Sequence, residues 1–173
     1  GLLKKPGVII TASHNPKNYN GLKLCNAGAI PIGENSGLKD IKKLANTNDE
    51  VHIEKFQNND KYIVSKYFEH LENLVSPASI SQKLNFGIDG GNGVFGAVFD
   101  SLNNIYKFNT KSIYLEVDGN FPNHPADPSD ETNLTDLKKL VVDNDLDFGI
   151  AFDGDADRGV FIDDFGRVIS GSM

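Results

Sequence analysis

The 173-residue chain reads as two α/β domains, each a mixed sheet covered by helices. Three observations predict this. Short apolar, β-branched runs alternate with segments of helical spacing, as when helices join the strands of a sheet. Polar or glycine-rich turns follow the strand-like runs directly, where such folds carry their chemistry. A small, polar, proline-broken stretch, Ser76 to Ser81, separates residues 1–80 from residues 81–173.

Taken in order, Gly7 to Ala12 (GVIITA) predicts a buried strand ending at the turn Ser13-His14-Asn15-Pro16. Gly21 to Cys25 and Ala29 to Ile32 predict two short strands around the turn Asn26-Ala27-Gly28. Leu38 to Ala45 has helical spacing behind Ser36, an expected cap. After a polar stretch around Asn46 to Asp60, a helix is predicted from about Lys61 to Val75. Its apolar face would be Ile63, Tyr67, Leu71 and Leu74, with Lys66 and Glu69 on the polar face. The second half predicts a strand (Leu84 to Asp89), a glycine turn, a helix (about Val94 to Asn103) and a strand (Ser112 to Val117). A proline-rich loop (Gly119 to Pro128), a helix (about Asn133 to Val142), a strand (Phe148 to Phe152), an acidic loop and a hairpin (Val160 to Ile169) complete the order.

Composition narrows the function. A formal net charge of -7 lacks the positive field that nucleic acid or an anionic membrane surface requires. Only Arg158 and Arg167 supply guanidinium groups, so a bound anion must rely on one of them, on lysines or on backbone N–H groups. Cys25 has no partner for an internal disulfide. Neither a signal peptide nor a spanning apolar run is evident, and a cytoplasmic protein is expected. The chain opens on Gly1 and enters a core strand almost at once, which reads as a piece of a longer protein.

The strongest chemical signal is Asp153-Gly154-Asp155-Ala156-Asp157-Arg158. Hard divalent cations take several oxygen ligands, and alternate residues of a tight loop can converge on one ion. The plain alternative is a solvated acidic turn. An EF-hand is excluded, because Arg158 and Asp164 stand where it needs Gly and Glu, and strands flank the loop. Arg158 beside the carboxylates suits a phosphate that bridges cation and guanidinium.

The second signal is Ser13, a potential nucleophile on a turn at a strand end beside His14. No G-x-S-x-G elbow surrounds it, which disfavours an α/β-hydrolase. Lys23 could face the same turn as proton donor, proton acceptor or phosphate ligand. His52, His70 and His124 lack metal-ligand spacing and read as surface residues. Gly91 to Gly96 matches a G-x-G-x-x-G dinucleotide fingerprint with Glu116 about twenty residues on. Asp89 would repel a pyrophosphate there, so a turn that lets helix and strand pack closely is the preferred reading.

Gly7 to Gly33 (GVIITASHNPKNYNGLKLCNAGAIPIG) resembles the active-site serine segment of the α-D-phosphohexomutases, in their phosphomannomutase/phosphoglucomutase branch. Ile150 to Arg158 (IAFDGDADR) resembles that family's metal loop, and FGIDGGNGVFG and DGNFPNHPADPSDETNL resemble the intervening second-domain segments. The resemblance implies part of a four-domain architecture, with the later part of domain I in residues 1–80 and much of domain II in 81–173. It implies interconversion of hexose 1- and 6-phosphates (mannose, glucose or both) through phosphoserine and a bisphosphorylated sugar.

By position, Ser13 would carry the phosphoryl group, and Asp153, Asp155 and Asp157 with a Ser13 phosphate oxygen would hold Mg²⁺. Lys23 would be the general acid/base, and His14, Asn15 and Arg158 would lie near the phosphoserine. Glucose 1,6-bisphosphate or mannose 1,6-bisphosphate would serve as activator. The partner is thus a small phosphosugar, with no nucleic acid or membrane, and the piece alone is expected to turn over poorly. Two rivals stay open: a dinucleotide-binding oxidoreductase built on Gly91 to Gly96, and a metal-stabilised module that binds phosphosugars without converting them.

Overall fold

The computed structural model describes residues 4–47, 60–79 and 84–171. Most of the polar stretch after Ala45, including His52, lies outside them, as do Ile80 and Ser81 of the expected linker. The chain divides into two units: Gly1–Thr11 with Gly21–Leu74, and Ala12–Asn20 with Val75–Met173. By its contacts the Ser13 turn groups with the second unit.

The first unit holds β1 (Gly7–Ile10), β2 (Leu22–Asn26) and β3 (Ile30–Pro31) in the order β1-β2-β3, with both pairings antiparallel. The β2–β3 turn closes through the Ala29 N–H donating to the Asn26 carbonyl at 3.1 Å. Helix α1 spans Leu38–Ala45 as expected, but its cap differs. Gly37 (φ 124°) precedes the helix, while the Ser36 hydroxyl oxygen turns back to accept the Gly33 N–H at 2.7 Å. Helix α2 spans Asp60–Leu74, and here the predicted apolar face fails: Ile63, Tyr67 and Leu74 are exposed and Phe68 is the residue buried. Helical spacing identifies which side chains share a face, whereas the packing partner decides which face is covered. The expected polar pair does meet, Lys66 to Glu69 at 2.6 Å.

The second unit contains the mixed sheet. Strands β4 (Asn85–Asp89), β5 (Asn109–Ile113), β6 (Phe148–Phe152) and β7 (Gly159–Asp163) lie in the order β5-β4-β6-β7. β4 pairs in parallel with β5 and β6, and β7 is an antiparallel edge. β5 starts earlier and ends earlier than its apolar pattern predicts, because its register runs from Asn85↔Asn109 to Asp89↔Ile113 and β4 sets its length. Tyr114 then leaves the strand at φ 55°. The final hairpin is formed by β7 and a single bridge, Ile162↔Val168.

Helix α4 (Thr135–Asp143) lays Leu137 and Val141, one turn apart, into a core with Leu134, Leu146, Ala151 and Ile162. The other face of the sheet is aromatic: Phe86 stacks on Phe148 at 4.7 Å, and Phe95, just before α3 (Gly96–Tyr106), stacks on Phe152 at 4.0 Å. These two layers fix the C-terminal ends of β4 and β6 side by side. The chain leaves β4 for β5 on one flank and later returns to β6 on the other, so that junction is the crevice where α/β sheets bind ligands. Among the described residues no helix is long and apolar enough to cross a membrane.

Candidate active site

Two fully buried carboxylates mark the crevice, Asp89 at the end of β4 and Asp153 just after β6. A buried carboxylate needs hydrogen-bond donors or a cation, and each has them. Asp153 Oδ1 accepts the N–H groups of Asp157 and Arg158 at 3.1 and 3.2 Å, which curls the acidic loop back on its own first residue. Its Oδ2 accepts from Arg158 Nε at 2.9 Å and pairs with Nη2 at 2.8 Å. The pairing raises the Arg158 pKa, chiefly through the hydrogen bond to Asp153.

Arg158 also reaches the serine turn, 145 residues earlier in the chain. Its Nη2 donates to Ser13 Oγ at 3.3 Å and to His14 Nδ1. A guanidinium can only donate, so His14 Nδ1 accepts and the ring carries its proton on Nε2. The same Nδ1 is 3.3 Å from Ser13 Oγ. Ser13 adopts φ 53°, a left-handed conformation uncommon for a residue with a side chain and characteristic of strained functional turns. Asn15 closes this turn by donating from its backbone N and its Nδ2 to the Ala12 carbonyl, at 3.0 and 2.9 Å.

Backbone packing locks the arrangement. A Cβ on Gly154 would lie 2.6 Å from the Ser13 carbonyl oxygen, so glycine is what lets the acidic loop touch the serine turn. Carboxylate oxygens of Asp153, Asp155 and Asp157 lie within 4.8 Å of one another. Three convergent hard oxygen donors, one of them buried, fit a divalent cation of the Mg²⁺ or Ca²⁺ kind.

The glycine turn is occupied by its own neighbours. Gly91 N donates to Asp89 Oδ1 (2.8 Å), Asn92 N to the Tyr114 carbonyl (2.8 Å), Gly93 N to Gly90 (2.8 Å) and Val94 N to Gly154 (3.1 Å). These are the donors that a pyrophosphate would need, and a Cβ on Gly96 would fall 1.7 Å from the Leu115 carbonyl oxygen. The turn brings helix and strand together, as the preferred reading had it, and the dinucleotide rival loses its basis.

Sequence reasoning missed two residues. His124, read as a surface histidine, is only 14% exposed; its Nε2 is 3.0 Å from Asp89 Oδ2 and its Nδ1 2.9 Å from the Pro125 carbonyl. With acceptors on both nitrogens the ring is an imidazolium, and the bond to Asp89 raises its pKa. Asp127 accepts the Ser129 hydroxyl at 2.6 Å, which lowers its pKa, and the charge of Arg158 lowers it further. Both sit in or beside the proline-rich loop Gly119 to Pro128 that the sequence marks out between its charged motifs. Lys23 lies on β2 in the first unit, opposite Ile9 of β1, and lines a cavity of that unit with Leu22 and Leu38.

The chain is similar to known proteins along most of its length. The family model for phosphoglucomutase/phosphomannomutase, alpha/beta/alpha domain II, matches residues 65–166, and that for domain I matches residues 3–52. The chain is 38% identical to a phosphomannomutase of Vibrio cholerae, covering 95% of this chain and 37% of that protein. It is 37% identical to a phosphoglucomutase of Neisseria gonorrhoeae, covering 94% of this chain and 35% of that protein. A crystal structure of a phosphoglucomutase/phosphomannomutase family protein from Burkholderia thailandensis superposes with a TM-score of 0.77 at 30% identity, over 95% of this chain and 34% of that one. The chain thus spans little more than a third of the length of the relatives it matches.

Proposed function

This chain belongs to the phosphoglucomutase/phosphomannomutase family, and on that footing we propose that it supplies the phosphoryl-carrying part of a hexose-phosphate mutase. The observation that carries the reading is Arg158, whose guanidinium joins buried Asp153 of the acidic loop to Ser13 and His14.

In this reading Ser13 bears the phosphoryl group. Asp153, Asp155 and Asp157, with a phosphate oxygen on Ser13, hold Mg²⁺, which when bound neutralises charge on the transferring group. Arg158 donates to the same phosphate while remaining anchored to Asp153, so its position is set before substrate arrives. His14 meets the Ser13 side chain through Nδ1, and Asn15 holds the turn's curvature.

A free hydroxyl of a hexose 1- or 6-phosphate attacks phosphorus in line. The P–Oγ bond of Ser13 breaks as the new O–P bond forms, the hydroxyl proton passes to a base, for which Lys23 is proposed, and the departing Ser13 Oγ, faced by the Arg158 guanidinium, takes up a proton from solvent. The resulting bisphosphate returns its other phosphoryl group to Ser13, with proton flow reversed. Such transfer depends on positioning and charge neutralisation more than on covalent help, and these residues are of the kinds that supply both.

The relatives' names cover both phosphomannomutase and phosphoglucomutase, and the proposed substrate is the phosphate of either sugar. The test is transfer of ³²P from labelled glucose 1-phosphate or mannose 1-phosphate to the 6-position by the full-length protein. Ser13→Ala is expected to abolish it, and unaltered turnover in that variant would refute the carrier assignment.

A further inference from the structure

The dinucleotide-like turn at the end of β4 spends its backbone donors on its own neighbours, but two of its buried side chains reach out to a single loop. Asn92 Oδ1 accepts the Asn123 side-chain amide at 2.7 Å, and Asp89 Oδ2 accepts His124 Nε2 at 3.0 Å. Asn92 is itself fixed, since its Nδ2 donates to the Glu116 carbonyl at 2.8 Å and its own carbonyl accepts the Asp118 N–H at 3.0 Å. The imidazole of His124 is held as well: the Tyr114 ring meets it edge-on at 5.4 Å, and the Tyr114 hydroxyl donates to Asp136 at 2.7 Å. Two consecutive residues of the proline-rich loop are thus tied to the end of an inner strand.

What these ties hold lies two residues on. Ala126 is buried between the glycine turn and the acidic loop: a Cβ on Gly91 would lie 3.5 Å from the Ala126 Cβ, and one on Gly154 would lie 3.8 Å from it. Gly154 in turn lies against the Ser13 carbonyl. Asp127, next along, accepts the Asn133 amide on its carbonyl at 2.8 Å and stands in the field of Arg158. The stretch Pro125 to Asp127 therefore backs both neighbours of the serine turn, the acidic loop through Ala126 and the guanidinium through Asp127. It lies outside helix and strand, so side-chain ties set its course. The bonds of Asn120 to Asp118 at 2.8 Å are local and do not fix the loop against the sheet. The His124–Asp89 bond does, and it is charge-assisted and buried, the stronger kind. Removing it leaves a fully buried carboxylate one donor short.

Resting on the mutase reading, we infer that His124 is a positioning residue for phosphoryl transfer: by clamping its loop to Asp89 it seats Ala126 behind Gly154 and so sets the approach of the acidic loop to the Ser13 turn. The dinucleotide-like motif gains a use in the same reaction. Its glycines allow the close approach, and Asp89 and Asn92 grip the loop that backs the site.

The experiment is single-turnover phosphorylation of Ser13 by glucose 1,6-bisphosphate and Mg²⁺ in the full-length protein, with kcat and KM for glucose 1-phosphate and the urea midpoint measured alongside. His124→Ala is expected to slow phosphorylation about tenfold, the effect of roughly half an ångström where about 1 Å costs a hundredfold. It should lower kcat alike, with KM within about twofold of wild type. His124→Gln, whose amide reaches Asp89 from the position of Nε2, should recover most of the rate. His124→Asn, whose shorter amide reaches only the Pro125 carbonyl, should not. Both lose the ring and its charge, so a purely stabilising role would not separate them. Ala126→Gly should slow the step by itself and add little to His124→Ala, because the two act in series. Val141→Ala, in the core beneath α4, should lower the urea midpoint without slowing the step. Equal rates in His124→Gln and His124→Asn, full additivity of Ala126→Gly with His124→Ala, or comparable slowing in Val141→Ala would overturn the positioning role. Absence of Ser13 phosphorylation in the wild type would instead strike the mutase reading itself.

Discussion

Replacing Gly154 by alanine tests how the acidic loop sets the position of the serine. The new Cβ would stand 2.6 Å from the Ser13 carbonyl oxygen, and separations under 3.0 Å essentially do not occur, so the two must part by at least about 0.4 Å in a close-packed interior. The loop cannot retreat. The Gly154 carbonyl accepts the Val94 N–H at 3.1 Å, and the backbone of Gly93 lies against it so closely that a Cβ there would be 2.8 Å away. The serine turn must move instead, while all three carboxylates remain. A misplacement of about 1 Å costs on the order of a hundredfold in rate, so roughly tenfold is expected here. The assay is quench-flow phosphorylation of Ser13 by glucose 1,6-bisphosphate in the full-length protein, with Mg²⁺ affinity measured calorimetrically in parallel. Slowed phosphorylation with metal affinity within about twofold of wild type is the predicted result. A wild-type rate, in protein with an unchanged circular dichroism spectrum, would refute the claim that this contact positions the serine.

Three further outcomes follow from the same geometry. Asp155→Asn should cripple Mg²⁺-dependent phosphoryl transfer and leave the unfolding midpoint nearly unchanged, because the fold rests on Asp153; wild-type transfer rates would remove Asp155 from the metal site. Gly96→Ala would place a Cβ 1.7 Å from the Leu115 carbonyl oxygen and is expected to prevent stable folding, read as loss of a cooperative urea transition. The His124–Asp89 pair should make stability fall as pH rises. Its histidine pKa is raised in the folded state, so the stabilisation is fully present below the unfolded value of about 6.5 and is lost as pH climbs through the folded one. His124→Ala should cost about 2 kcal/mol at pH 6 and less at pH 9. Urea titrations at the two pH values decide this, and an equal cost at both would contradict the imidazolium assignment.

Legibility of the sequence divided along one physical line. Where information is local, it could be read: the strand Phe148 to Phe152, the helix from Leu38 to Ala45 and the alternating carboxylates after β6 each announce themselves within a few residues. Where a role depends on a distant partner, it could not. His124 has no local mark of burial, because its counter-charge is Asp89, 35 positions away. The buried face of α2 and the ends of β5 were misjudged for the same reason, since a packing neighbour decides the first and a register with β4 the second. Ser36 has the composition of a cap, yet Gly33 offers it a nearer donor. Convergence of the Ser13 turn and the acidic loop followed from family resemblance alone. The residues of the Gly119 to Pro128 loop that surround them, Asn120, His124 and Asp127, became visible only with the fold.

Phosphopeptide mapping by mass spectrometry decides whether Ser13 is the phosphoryl carrier. The full-length protein is mapped as purified and again after incubation with glucose 1,6-bisphosphate and Mg²⁺, beside an Arg158→Ala variant. The account predicts phosphate confined to Ser13, rising on incubation and slow to accumulate in the variant. Full-length protein loaded at another residue, or not loaded at all by bisphosphate and Mg²⁺, would contradict it.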